Sequence, residues 1–399
     1  MRILLVLREF YCPSKPIGGA ERQALKLAER LIEKGAIVTV VTGQWDWGQH
    51  RREKINGILV HRHFTGWGMF NIRGLRRFGQ YLYLLTLFLY LVRHRDKYDF
   101  IHCHSAMFGA SMVVLAGKWL HKKTLIRAMA SGAWGDIERM RKERSILGTG
   151  WMLSEFKDAD CIVALNKQIV AELIETRVKS ERIVHLPNGV ETEQIKPKTD
   201  YRLGHEVTVT FVGRLHPQKG VDVLLSAFKQ VQEELPQFSW RLTLVGGGGL
   251  CHKLEAMAHQ LSLDRTVEFA GQVDDPFPIL SQSDIFVLPS RSEGMSNALL
   301  EAMAHGLPCI VTDIAGNNEV IRHNENGLLV QPDDDNDLAA AIGSLVVDEK
   351  LRQRLGQNAI KTVEEKYSLD SVANQYMALY ADLLHHKAAV GHSGLEVTS

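Results

Sequence analysis

A chain of 399 residues is long for one ordinary domain and points to two. With 45% apolar and 23% charged residues it can bury a core of normal size, and a formal net charge of +1 excludes a protein that wraps nucleic acid or neutralises a polyanion over its whole surface. The five cysteines, Cys12, Cys103, Cys161, Cys251 and Cys309, are odd in number and none is paired at metal-ligand spacing, which argues against a disulfide framework or zinc knuckle and fits a reducing, cytoplasmic compartment.

Met1-Arg2 is followed by Ile3-Leu4-Leu5-Val6-Leu7 and then at once by Arg8-Glu9. That run is too short for a signal-peptide core and predicts a first buried strand. A helix is predicted over about Ala20–Lys34 and a strand over Ile37–Val41. Further strands are predicted at Asp99–Cys103, Thr124–Ala128 and Cys161–Ala164. Short apolar strands alternating with amphipathic helices predict a parallel sheet covered on both faces. The pattern weakens at Pro187-Asn188-Gly189 and stays polar through Lys196-Pro197-Lys198 to His205, which predicts a linker near 190–205. It restarts with strands at Val207–Val212, Arg241–Val245, Val267–Ala270, Ile285–Leu288 and Pro308–Thr312, and with a helix at Val221–Glu234. Two α/β domains follow, 1–190 and 205–365. A last helix ends at His385, and a small, polar, flexible tail is expected over 386–399.

Residues 51–97 are basic and poor in acids, with Arg51, Arg52, Arg73, Arg76, Arg77, Arg93, Arg95 and Lys97 around the apolar run Tyr81–Val92; Trp67, Met69 and Phe70 precede it. Twelve apolar residues cannot span a bilayer, and no run of eighteen exists anywhere, so no transmembrane helix is expected. Two readings stand side by side. The run is a helix buried between the sheet and its neighbours, or residues 67–97 lie on an anionic membrane surface at the inner face of the plasma membrane; buried helix and lipid-facing basic flanks are compatible.

The most informative stretch runs from Ser290 through Glu293, Gly294, Ser296, Asn297 and Ala298 to Glu301. A strand ends at Leu288-Pro289 and a helix begins near Ser296. The amide groups of Ser296, Asn297 and Ala298 then form an anion site, and Asn297 and Glu301, four apart, share one helix face. Two carboxylates bracketing a helix N-terminus suit a ligand with phosphates in the middle and hydroxyls at both ends, which describes a nucleotide sugar. In Phe211-Val-Gly213-Arg214-Leu-His-Pro-Gln-Lys219-Gly220 a strand ends, a glycine turns the chain, and two cations appear five residues apart. Fixed cations there would stabilise the charge that builds on a diphosphate leaving group. Gly-Lys-Ser/Thr is missing, so this is not a Walker A loop. Taken singly, Glu293 fits a helix-dipole partner, Glu301 a solvated helix residue, and Arg214 with Lys219 a surface charge pair; taken together they favour the ligand.

Gly18 and Gly19, between the first strand and first helix, let the backbone approach a ligand. His102-Cys103-His104 closes a strand, and in a parallel sheet ligands bind at the carboxyl ends of strands. Arg127, Ser131 and Gly132 follow another strand end and are candidates for the acceptor side. Gly246–Gly249 lacks Gly-x-Gly-x-x-Gly, position 251 being Cys, and reads as a tight strand-to-helix turn; the first strand lacks that motif too, which disfavours a Rossmann dehydrogenase. The triplets Asp158-Ala-Asp160 and Asp333-Asp334-Asp335 stand away from the donor stretch, so no metal is expected.

Glu293, seven residues, then Glu301 resembles the Glu-x7-Glu element of the family-4 retaining glycosyltransferases, and Gly213-Arg214-Leu215 with Lys219-Gly220 resembles that family's Gly-Arg-Leu…Lys-Gly segment. Asp160–Leu165, Ile183–Val190 and Asn326-Gly327-Leu328-Leu329-Val330 look like its other recurring segments. The likeness covers nearly the whole chain and is strongest from about residue 155 to 345; it is the combination of motifs that is specific. It implies the GT-B fold, two Rossmann-like doubly wound parallel-sheet domains facing an interdomain cleft. The N-terminal one would take the acceptor and the C-terminal one the donor, and helix 366–385 would cross back onto the N-terminal domain. It implies that Arg214 and Lys219 hold the diphosphate, that Glu293 contacts the transferred sugar and Glu301 the ribose hydroxyls, and that Gly271-Gln272-Val273 edges the nucleobase. The loop of Gly18 and Gly19 would face the donor. His104 would stand near the reacting sugar as a catalytic residue with Glu293, Arg214 and Lys219, while His102 stays structural. It further implies UDP as the base, no required cofactor, and retention. No covalent nucleophile with an acid beside it is evident, so same-face substitution is expected, with the leaving phosphate deprotonating a saccharide or lipid-linked saccharide acceptor. Readings from other classes are a non-catalytic nucleotide-sugar binding protein, a GT-B epimerase or phosphorylase, and an enzyme with a small soluble acceptor.

Overall fold

The computed structural model describes residues 1–10, 18–45, 48–65, 76–106, 108–142 and 148–385. The sequence expectations for Trp67, Met69, Phe70, Arg73 and the tail 386–399 lie outside the described residues. The chain divides into two compact units, one of residues up to Pro187 together with the chain from Val372 on, the other Asn188–Ser371.

The first unit is built on an eight-stranded sheet. Its strands are β1 (Arg2–Val6), β2 (Ile37–Gln44), β3 (Arg52–Ile55), β4 (Ile58–Phe64), β5 (Phe100–Cys103), β6 (Lys123–Ala128), β7 (Cys161–Ala164) and β8 (Ile183–His185), in the order β3-β4-β2-β1-β5-β6-β7-β8. Every ladder is parallel except β3 with β4. Strands β5 and β7 are buried along their whole length, as apolar runs covered on both faces must be. Helix Gly19–Glu33 lays Ala24, Leu27, Ala28 and Leu31, spaced at three and four, on this sheet. The last helix, Leu369–His385, adds Val372, Ala373, Tyr376 and Tyr380 to the same core, so the body of this helix is part of the first unit.

The hairpin β3–β4 occupies ground that the charge pattern assigned to a basic surface segment. Its two-residue loop is Asn56-Gly57, both at positive φ (49° and 81°), the combination that suits the right-handed twist of paired strands. The Asn-Gly dipeptide is the signal that could have revealed it. Helix Arg76–Arg93 follows. It is neither buried all round nor free: Tyr83, Leu84, Leu87 and Leu91 are buried, whereas Phe78, Leu85 and Leu89 are exposed.

The second unit carries a six-stranded, wholly parallel sheet. Its strands are β9 (Glu206–Val212), β10 (Ser239–Val245), β11 (Val267–Gly271), β12 (Ile285–Leu288), β13 (Cys309–Thr312) and β14 (Leu328–Val330), in the order β11-β10-β9-β12-β13-β14. From β9 the chain runs through helix Val221–Glu234 to β10 on one flank, while β12 lies on the other. The winding reverses between β9 and β12, and at such a switch point the loops leaving the two strands diverge and open a crevice at the carboxyl edge. In the first unit β2 and β5 flank β1 in the same way.

Residues 191–205, expected as a linker, are docked on the second unit. Lys198 Nζ donates to the Asp284 carboxylate at 2.8 Å. The Tyr201 hydroxyl, on a buried ring, donates to the Gly306 carbonyl at 3.0 Å, and the buried Arg352 donates from Nε to the Tyr201 carbonyl at 2.9 Å. Polarity marked the segment as irregular, but one lysine and one aromatic ring anchor it.

The glycine run Gly246–Gly249 is the turn expected after β10, with a packing role added. Gly246 has φ +135°, and a Cβ there would stand 1.9 Å from the Gly213 carbonyl oxygen. Gly249 has open space around it. We predict that Gly246→Ala lowers stability by at least ~2 kcal/mol through strain and clash, whereas Gly249→Ala stays within ~1 kcal/mol of the parent. Denaturant unfolding of the two variants checks this, and equal midpoints would refute the close approach.

Candidate functional site

The second unit brings the two informative motifs together at its switch point. Gly220, at φ +63°, is so close to the end of β12 that a Cβ would lie 2.0 Å from the Pro289 carbonyl. Glycine at this position therefore lets the loop after β9 press against the loop after β12. Lys219, its neighbour, donates from Nζ to Glu293 Oε1 at 2.5 Å. The Ser290 hydroxyl donates to the same oxygen at 2.6 Å. The two charged side chains are 12% and 7% exposed, so each is held largely out of water and each depends on the other.

Arg214 is exposed and joins the pair through an intermediary. Its Nη2 lies 3.4 Å from Gln218 Oε1, and Gln218 Nε2 donates to the Ser292 carbonyl at 2.8 Å. Arg291 locks the same loops, bonding the Pro217 carbonyl at 2.6 Å and both Asp222 and Asp333. Of the three cations at these loops, Lys219 and Arg291 are satisfied by carboxylates and Arg214 reaches toward solvent.

Helix Asn297–Ala304 begins at the far side of that loop, capped by the Ser296 hydroxyl, which accepts from the Leu299 amide at 3.3 Å. Its first-turn amides, those of Asn297 and Ala298, point back along the axis with the positive end of the helix dipole. Asn188 sets the entry of this helix: its Nδ2 donates to the Met295 carbonyl at 3.1 Å and to Asn297 Oδ1 at 2.6 Å. Glu301 is buried, not solvated, one turn further along the face it shares with Asn297. Gly271, Gln272 and Val273 leave β11, and backbone bonds knit the strand ends: Gly246 N–H to the Gly271 carbonyl at 2.7 Å, Gly213 N–H to the Val245 carbonyl at 2.9 Å. Arg214, Lys219, Gly271–Val273, Glu293, Ser296–Ala298 and Glu301 therefore all follow or flank carboxyl ends of the second unit's strands. Residue spacing alone did not indicate Ser290, Gln218 or Asn188. Gln218 is an ordinary polar letter whose partner, the Ser292 carbonyl, lies on another loop, and Ser290 acts only through Glu293 three residues on.

In the first unit Gly18 precedes helix Gly19–Glu33, whose first turn already holds the acidic Glu21. His104, just past β5, is buried, with Nε2 at 2.8 Å from Arg127 Nη1. Arg127, expected on the acceptor side, is instead among the largest fully buried side chains; its guanidinium faces His104 because a buried charge seeks the nearest acceptor. His102 Nδ1 lies 2.7 Å from the Tyr380 hydroxyl, and burial pushes this imidazole down to about 3. Burial, then Arg127 and His102, hold His104 well below its ordinary value. Ser131 is buried, and the Gly132 amide donates to Glu172 Oε1 at 2.7 Å. The loop between them and the next helix is closed by Asp136, which accepts from the Met129 amide at 2.8 Å and which burial pushes up to about 6 against that bond.

The two acidic triplets serve structure. Asp158 and Asp160 pair with Lys118 and Lys123 at 2.6 and 2.9 Å; Asp333 pairs with Arg291 at 2.6 Å, and Asp334 caps a helix. Among the described residues no group of His, Cys, Asp and Glu is arranged to hold a metal ion.

Known proteins with this pattern are consistent across both units. The family described as Glycosyltransferase Family 4 matches residues 17–194, and that described as Glycosyl transferases group 1 matches residues 206–348. LpsE of Rhizobium meliloti, a lipopolysaccharide core biosynthesis glycosyltransferase, is 30% identical over 370 residues, covering 91% of this chain and 96% of LpsE. The UDP-Gal:alpha-D-GlcNAc-diphosphoundecaprenol alpha-1,3-galactosyltransferase of Escherichia coli is 29% identical over 75% of this chain and 79% of its own length. The structure of Anabaena Alr3699/HepE in complex with UDP-glucose superposes with TM-score 0.76 at 18% identity, over 96% of this chain and all of that one.

The buried ion pair generates a prediction. Lys219→Met should destabilise the protein by about 3 kcal/mol, because Glu293 is left charged and largely buried. Adding Glu293→Gln should recover most of that loss. Chemical denaturation of the two single variants and the double variant measures the coupling; strictly additive losses would mean that the pair contributes nothing.

Proposed function

The chain belongs to the family-4 glycosyltransferases, with the GT-B architecture of two parallel-sheet α/β units, and we propose that it moves a hexose-type sugar from a UDP-sugar to a saccharide or lipid-linked saccharide, with retention, in surface polysaccharide biosynthesis. The observation that carries this reading is the Lys219–Glu293 pair beside Arg214 at the β9–β12 switch point.

In the proposed reaction the bond between the anomeric carbon and the diphosphate oxygen breaks, and its electron pair leaves with the phosphate. The acceptor hydroxyl oxygen bonds to the same face of that carbon, and its proton passes to the departing phosphate oxygen. Negative charge grows on the diphosphate as this happens. Arg214 and Lys219 are fixed cations placed to stabilise it, together with the first-turn amides at Asn297 and Ala298. This supports a reaction without a metal or cofactor. Glu293, an acceptor-only carboxylate, suits the hydroxyls of the transferred sugar, and Glu301 those of the ribose. The UDP preference draws on the UDP-Gal substrate in the E. coli relative's name and the UDP-glucose held by the Anabaena protein.

A thermal-shift panel of UDP-, GDP- and ADP-sugars tests the donor. A ligand at a hundredfold over its Kd stabilises by about 2.7 kcal/mol. UDP-sugars should raise the midpoint by several degrees, Arg214→Ala and Glu301→Ala should suppress the rise, and a flat response to every UDP-sugar would rule the reading out.

A peripheral position on the inner face of the plasma membrane is supported by one observation. Phe78, Leu85 and Leu89, separated by seven and four residues, lie exposed along one face of helix Arg76–Arg93, and Trp119, stacked on Phe88 at 5.8 Å, is 63% exposed. Among the described residues no helix is long and apolar enough to cross a membrane, but an exposed apolar face within a basic segment suits an anionic leaflet. It would bring the enzyme to a lipid-linked acceptor. The parent should sediment with anionic vesicles, and Leu85→Ser with Leu89→Ser should remain in solution; a parent that ignores such vesicles favours the soluble saccharide acceptor instead.

A further inference from the structure

The buried polar cluster at the end of β5 determines where the proton of His104 sits. Arg127 approaches Nε2 with Nη1 at 2.8 Å. A guanidinium has five donors and no acceptor, so this contact is a hydrogen bond only if Nε2 presents its lone pair. The proton of the neutral ring must then be on Nδ1. A doubly protonated ring would set two cationic donors face to face in a buried site, which is excluded on cost. His104 Nδ1 has no partner among the described residues, although it is buried. Unsatisfied buried donors are rare enough to demand a reason, and His104 lies one residue beyond β5, at the carboxyl end of a strand that flanks the first unit's own switch point.

We propose that Arg127 is a positioning residue that fixes His104 as a neutral imidazole with its proton on Nδ1, so that His104 offers a bound ligand oxygen, whether sugar hydroxyl or phosphate, a hydrogen-bond donor and never a base. The inference rests on the glycosyltransferase reading for the nature of that oxygen, but not for the tautomer itself. The surroundings reinforce it. His102, whose ring centre lies 5.5 Å from that of His104, is bonded to Tyr380 and stacked on Tyr376, and among the described residues no carboxylate is hydrogen-bonded to either ring. Arg127, which lies on β6, therefore shapes the chemistry at the end of β5 without itself meeting the substrate.

The tautomer is read directly from nitrogen-15 NMR of the full chain labelled at its histidine rings, where a nitrogen bearing a proton and one bearing a lone pair resonate far apart. The His104 signals are identified by their loss in His104→Asn. In the parent at pH 7, Nδ1 should be of the protonated type and Nε2 of the lone-pair type. In Arg127→Met the ring should shift largely to the opposite tautomer, and Arg127→Lys, which keeps a cationic donor, should stay closer to the parent. A parent with its proton on Nε2, or an Arg127→Met spectrum like the parent's, overturns the proposal. A second readout covers a misfolded Arg127→Met. Asparagine places its amide nitrogen near the Nδ1 position and glutamine near Nε2, so His104→Asn should retain at least tenfold more donor-hydrolysis activity than His104→Gln, and the reverse order overturns the proposal. If the parent hydrolyses no donor at all, the glycosyltransferase reading fails while the spectra still decide the tautomer.

Discussion

The second unit is organised around a buried carboxylate, Glu293, whose compensating charge comes from Lys219. Glu293 has been taken almost wholly out of water, and the ammonium at 2.5 Å and the Ser290 hydroxyl at 2.6 Å replace its hydration. Such a pair need not add stability over an apolar equivalent, but each half is costly to leave alone. Its effect is to hold two loops, from two strands on either side of the switch point, in one arrangement. The local requirements follow from that: glycine at 220, because the Pro289 carbonyl leaves no room for a side chain, and Gln218 and Arg291 as further stitches between the same loops. Groups that are already fixed need not reorganise as charge develops beside them, which is what electrostatic stabilisation of a leaving group requires.

The two units handle buried polarity in opposite ways. At the carboxyl edge of the second, charges are kept and paired. At that of the first, the rings of His102 and His104 are kept neutral by burial, with Arg127 adding to the effect, and the Asp136 carboxyl is pushed up to about 6. Desolvation dominates each of these shifts.

Much of the architecture was legible because parallel sheets write it plainly. Strands such as Cys161–Ala164 and Ile285–Leu288 are short runs of apolar residues covered on both faces, and they occur where the pattern placed them. The hairpin β3–β4 was hidden by its polar composition, since an edge pair need not be apolar, although its Asn56-Gly57 turn was in view. The segment around 190–205 looked like a linker because its anchors, Lys198 and Tyr201, are isolated in a polar, irregular stretch. In the site, Glu293, Glu301, Arg214 and Lys219 could be singled out as charged residues at regular spacing beside strand ends. Ser290, Gln218 and Asn188 could not, since a polar residue acquires a role only from the partner it meets.

The sequence by itself determined the alternation of strand and helix, the family, and the identity of the charged residues at the strand ends, because periodicity and local spacing are properties of neighbours along the chain. Only the tertiary structure decided that Lys219 bonds Glu293, that Asn188 latches the helix beginning at Asn297, that Tyr380 from the last helix reaches His102, and that Arg127 turns inward to His104. These pairs are separated by between 23 and 278 positions. Burial makes each hydrogen bond obligatory, yet which partner answers depends on the order in which the strands assemble.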